Sequence, residues 1–149
     1  GGGPGGPCGR WPVGQASLYR GELAGTGVKG DADVMAKGEV ECTGCHDLAA
    51  KEPVVKAVQA ACVTCHEAGF DEMAVEWIND DQKRVQDLAV ELARAQARAA
   101  GASGALAASH RQAIADAERI HRALVAAKGV HNTALAADAY DRAKKLLTW

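Results

Sequence analysis

Aromatic side chains are scarce in this chain: three Trp, two Tyr and one Phe among 149 residues, or 4%. Alanine takes their place at about a fifth of all positions. The hydrophobic fraction of 48% therefore overstates the core volume, because an aromatic ring buries several times the area of an Ala methyl. An excess of basic charge is also missing. The 17 Lys and Arg stand against 19 Asp and Glu, a formal charge of −2, which excludes the footprint of nucleic-acid binding and a polybasic membrane anchor. No apolar run approaches the ~20 residues that a membrane-spanning helix needs. The chain also lacks the cationic start and apolar stretch of a signal peptide, so an exported protein is expected to have lost its leader before Gly1.

The length suits one domain spanning residues 1–149. Residues 1–14 hold three of the four prolines and no apolar periodicity, which predicts an extended arm. Residues 15–40 are interrupted by Gly21, Gly25, Gly27, Gly30 and Gly38, and are expected to form a wrapping loop with one short turn around Asp33 to Lys37 and no strand. With residues 41–70 they make up a region, 15–70, that contains a short helix from Pro53 through Val54, Val55, Ala57 and Val58. From Asp71 the pattern becomes long helix, with Ile78, Val85, Leu88, Leu92, Ala95 and Ala99 on one stripe. The stretch Gly101-Ala102-Ser103-Gly104 breaks it. Ser103 is placed to cap a second helix carrying Leu106, His110, Ala113, Ala117, Ile120 and Leu124, and so short a connection implies an antiparallel hairpin. Gly129 is expected to end that helix. A last helix starts near Asn132 or Thr133 and carries Leu135, Ala139, Tyr140, Leu146 and Leu147. The fold class is therefore mostly α: Gly-rich N-terminal loops, a cysteine-bearing segment with a short helix, and a helical region, 71–149, made of a long antiparallel hairpin and a C-terminal helix.

Four of the five cysteines fall into Cys42-Thr43-Gly44-Cys45-His46 and Cys62-Val63-Thr64-Cys65-His66. Both match the c-type haem attachment sequence. Two thiols at this spacing can each add to one vinyl group of a single porphyrin, and the adjoining His is then tethered under the iron as its proximal ligand. The cofactor expected is thus two haems c, attached through Cys42, Cys45, Cys62 and Cys65, with His46 and His66 as axial ligands. A zinc site of four thiolates is an alternative, since 16 residues separate Cys45 from Cys62, but it has no need of the two histidines. Disulfides or a dithiol redox pair are further alternatives. Cys8 is left over, as a free thiol, an intermolecular disulfide or a single thioether.

The run Gly129-Val130-His131-Asn132, lying between a long helix and an Ala- and Leu-rich terminal helix, resembles the C-terminal segment of multihaem c-type cytochromes, a group that includes nitrite-reductase-like and related electron-transfer proteins. Asp33-Val34-Met35-Ala36 leading into Val40 and Cys42 is similar to the same group, as is Ala68-Gly69-Phe70-Asp71-Glu72-Met73 followed by Trp77. The resemblance covers roughly residues 20 to 149. It implies a distal haem ligand at His131. The chain departs from larger members in having two attachment motifs and no His upstream of Cys42.

Helix arithmetic agrees with His131. With the hairpin turning at Ala102–Ser103, His121 faces the region of Arg84 and His110 that of Ala95. At 1.5 Å per residue, His110 lies about 36 Å and His121 about 20 Å from Asp71, where the second motif joins the helix, with His131 closer still. His131 is the first candidate for a distal ligand and His121 the second. His110 and Met35 are alternatives, and His110 and His121 also suit plain core positions. The function expected is electron transfer between two haems and redox partner proteins such as other cytochromes, in the periplasm or outside the cell, with self-assembly into oligomers or filaments as an option. An electron carrier is favoured over a haem enzyme with one open iron, because neither motif has a catalytic cluster beside it. The thin core reads as one completed by porphyrin, so that without haem the chain is not expected to fold.

Overall fold

A computed structural model describes residues 13–47 and 55–149. Among them the protein is mostly helical. Helix α1 (Val13–Tyr19) is followed by a minimal antiparallel hairpin, β1 (Glu22–Leu23) with β2 (Val28–Lys29), in which Glu22 pairs with Lys29 and Leu23 with Val28. Then come α2 (Val34–Lys37), a single 3-10 turn at Cys42–Gly44, α3 (Val55–Cys65), α4 (Phe70–Ala100), α5 (Gly104–Ala127), a 3-10 turn at Gly129–His131, and α6 (Thr133–Leu146).

The long hairpin forms as its periodicity dictates. Helix α4 buries Ala74, Leu88, Leu92, Ala95 and Ala99, and α5 buries Ala107, Ile114, Ala117, Ile120, Leu124 and Ala127. Asp71 and Glu72 lie in the first turn of α4 and Arg98 in its last, in the sense that complements the helix dipole. Helix α6 lays Leu135, Ala136, Ala139 and Ala143 into the hairpin. From the N-terminal side Leu18, Leu23 and Val28 complete the same core. Alanine is therefore what lets the helices approach closely around the buried cluster that runs from Leu18 to Leu147.

Several local expectations are corrected. The stretch expected to be loop contains α1 and the small hairpin; residues 1–12 of the arm lie outside the described residues. The short turn at Asp33–Lys37 is α2, with the Asp33 carboxylate accepting from the Met35 N–H at 2.9 Å. Helix α3 runs further than expected, through both cysteines of the second motif, while Pro53 and Val54 fall outside the described residues. Leu106 is 70% exposed, while Ala107 beside it takes the buried position of that turn. Ser103 sits at the N-cap of α5 without a capping side-chain bond. Helix α5 ends at Lys128, whose φ of 56° reverses the chain, rather than at Gly129. No helix among the described residues is long and apolar enough to cross a membrane.

Candidate functional site

The segment carrying the motifs hangs on the edge of this body. Neither α2, the Cys42–Gly44 turn nor α3 contributes a buried residue. Apolar side chains nonetheless stand in the open: Val34 is 78% exposed, and Val55 and Val63 on α3 and Met73 on α4 are exposed as well. Helix α3 is joined to α4 by the Gln59 side-chain amide, which donates to the Asp71 carbonyl at 3.2 Å.

The first motif is tethered to the body. The Tyr19 hydroxyl donates to the Val40 carbonyl, and the Val40 N–H donates to the Met35 carbonyl at 2.9 Å. This places His46 opposite His131, with ring centroids 6.2 Å apart and planes tilted by 43°. Imidazole nitrogens bound at about 2.0 Å on opposite sides of one metal ion put their ring centroids about 6 Å apart. The second ring is also oriented. His131 Nδ1 lies 2.9 Å from the carbonyl oxygens of both Ala127 and Lys128; with Nδ1–H donating there, Nε2 is left for a metal, the usual arrangement of a ligating histidine. Burial first, then the nearby charges of His131 and Lys128, push His46 below the ordinary histidine range, toward the neutral form that ligation requires.

Gly129, His131 and Asn132 of the Gly129–Asn132 run each have a task here. A Cβ at Gly129 would collide with the Asp81 carboxylate, which accepts from the Gly129 N–H. Burial raises the Asp81 carboxyl above its usual range, while that hydrogen bond and the charges of Arg84 and His131 oppose the rise. Asn132 caps α6, its Oδ1 accepting from the Leu135 N–H at 3.2 Å. A cleft of about 230 Å³ lined by Trp77, Asp80, Asp81, Arg84 and Gly129 opens beside this turn.

The second motif is arranged differently. Cys65 is exposed, and so is His66, which stacks on Phe70 with centroids 4.3 Å apart and planes within 14°. His121 is engaged at the hairpin seam, its Nε2 3.2 Å from the Val85 carbonyl oxygen. His110 lies flat on Trp149 at 3.8 Å, with the Arg98 guanidinium over the indole at 4.6 Å. The structure thus brings His131 to the first motif, whereas hairpin arithmetic alone had set it near the second. The physical reason is lateral. Rise per residue locates a side chain along the hairpin axis but not around it, and the N-terminal segment carries the first motif round to the turn that holds His131.

Cys45, Cys62 and Cys65 are free thiols, and Cys42 is disulfide-bonded. Burial first, and then the charges of Cys62, Cys65 and Asp33, raise the Cys45 thiol; burial first, with Asp71 adding to it, raises that of Cys62. A dithiol oxidoreductase needs the opposite, a thiolate stabilised at neutral pH. Among the described residues no three His, Cys, Asp or Glu side chains gather to hold a metal ion, so the geometry lends nothing to the four-thiolate zinc arrangement. Cys8 lies outside the described residues. Sequence reasoning missed Tyr19 and Asp81 at this site; a tyrosine inside a Gly-rich stretch and one acid among several carry no signal of their own. No family model, no curated protein and no solved structure matches the chain.

Proposed function

We propose that this protein is an electron carrier of the dihaem c-type cytochrome class. The observation that carries the reading is the His46–His131 pair, 6.2 Å between centroids, in which His46 closes one of two Cys-x-x-Cys-His motifs. The spacing of His46 and His131 suits the group. Cys42 and Cys45 would hold one haem with His46 and His131 as ligands to its iron, and Cys62, Cys65 and His66 would hold the other. The exposed Val34, Val55, Val63 and Met73 would be covered by porphyrin faces. When bound, the haems supply a reversible one-electron change at each iron. The protein's part is to fix ligands, spacing and dielectric. Attachment through Cys42 first requires its disulfide to be reduced to a thiol. Because this type of attachment is completed outside the bacterial cytoplasm, the protein is placed in the periplasm or beyond the cell, exchanging electrons with other redox proteins or with further copies of itself.

A specific observation favours a second property at the second motif. All five histidines lie among the described residues, and the two not yet used, His110 and His121, are occupied by Trp149 and Val85. No imidazole is then left to face His66, and a haem there whose second position no thioether fills would bind a small external ligand.

Expression with a c-type maturation system, followed by intact mass, a pyridine haemochrome assay and electron paramagnetic resonance, tests both parts. Two haems per chain with one low-spin bis-His centre, and one equivalent of cyanide bound, is the expected result. A colourless protein that releases zinc to a chelator would defeat the proposal, and a mass without covalent haem would do the same.

A further inference from the structure

We infer that Asn132 is the positioning residue that sets His131 opposite His46; this rests on the electron-carrier reading and extends it to a side chain that would touch no haem. Asn132 is 2% exposed, the one buried polar or charged residue among those described. A buried amide is costly unless its hydrogen bonds are made, and this one makes them all in an informative pattern. Its Nδ2 donates to the Leu18 carbonyl at 3.1 Å and to the Asp31 carbonyl at 2.9 Å, while Oδ1 accepts from Leu135 N–H at 3.2 Å. Its backbone N–H donates to the Gly129 carbonyl at 3.1 Å and its carbonyl accepts from the Ala136 N–H at 2.9 Å.

Those contacts join two pieces of chain that each carry one ligand. On one side Leu18 and Asp31 bracket the N-terminal segment. From there the Asp33 N–H donates to the Tyr19 carbonyl at 3.0 Å, the Tyr19 hydroxyl donates to Val40, and two residues later comes Cys42 with its histidine. On the other side lies the turn that ends in His131, the residue immediately before Asn132. The Ala127 and Lys128 carbonyls fix how the His131 ring is rotated, yet they belong to the same turn and say nothing about its distance from His46. The amide of Asn132 is a hydrogen-bonded tie from that turn to the segment leading into the first motif, through Leu18 and Asp31. Metal–ligand distances tolerate only about 0.2 Å of error, so loosening this tie should open the first iron without removing either ligand.

The test uses the haem-loaded protein. Asn132→Ser keeps an oxygen for the helix cap and loses both donors; Asn132→Asp, equal in size, does the same and covers the case in which Ser leaves a destabilising void. His131→Ala defines the signature of a missing ligand. The expected result is wild-type haem content and helix content, with a new high-spin signal and one more equivalent of cyanide bound than in the wild type. Wild-type spin state and cyanide stoichiometry in a folded variant would overturn the inference, and so would loss of helix content in both variants, since the amide would then be holding the fold rather than the ligand. Absence of covalent haem from the wild type would instead strike the electron-carrier reading, so the two failures are distinguishable.

Discussion

Tyr19 shows how one side chain can report on the joint between the body and the first motif. Its phenol is pushed up from 10.0 to about 12, first by burial and then by the charges of Asp33, Cys45 and Glu41. The folded chain therefore holds this proton more tightly than the unfolded chain does. The contribution to stability is complete below about pH 10 and drains away as pH climbs toward 12. In Tyr19→Phe that alkaline decline should flatten, at the expense of about 1 kcal/mol at neutral pH for the lost hydrogen bond to Val40. Urea unfolding followed by circular dichroism across this range decides it, and parallel curves for the two proteins would count against the assignment. At the same scale, Asn132 was legible in the sequence as a helix cap. Its donors were not, because they are spent on the carbonyls of Leu18 and Asp31, and a carbonyl is identical in every residue.

Among the elements, the hairpin of α4 and α5 was written in the periodicity, since long helices repeat their signal over many turns. Leu88, at the centre of the predicted stripe, is fully buried. Leu88→Ala should cost about 2–5 kcal/mol, whereas Leu106→Ala, on the first turn of α5, should change stability by no more than about 0.5 kcal/mol. Thermal unfolding of the two variants measures the contrast, and equal losses would mean that the tip packs in a way the structure does not have. Helix α1 escaped notice for the converse reason. Its seven residues complete too few turns for a period to stand out beside Gly-rich neighbours, although Leu18 proves to be a fully buried anchor. Helix α3 was legible only in part, because Val55 and Val63 face outward and an apolar pattern does not say what, if anything, will cover it.

Across the whole molecule, composition and periodicity pointed to the class and the two motifs to the candidate chemistry, but which histidine comes to lie beside which motif was not readable from linear spacing. That pairing depends on segments distant in sequence lying side by side. The Asn132 amide makes the distance concrete, since its two bonds span 114 and 101 residues. Contacts between residues so far apart require large loops to close before they return any stabilisation, whereas the α4–α5 hairpin closes through near neighbours. An order of assembly follows. The helical hairpin forms first, α6 docks on it, and the N-terminal segment swings in last to be caught by Asn132. Pulse-labelled amide exchange during refolding should protect Leu88 and Ile120 before Leu23 and Val28; simultaneous protection would refute that order. Until that final step, His46 and His131 belong to two ends of a chain that have not yet met.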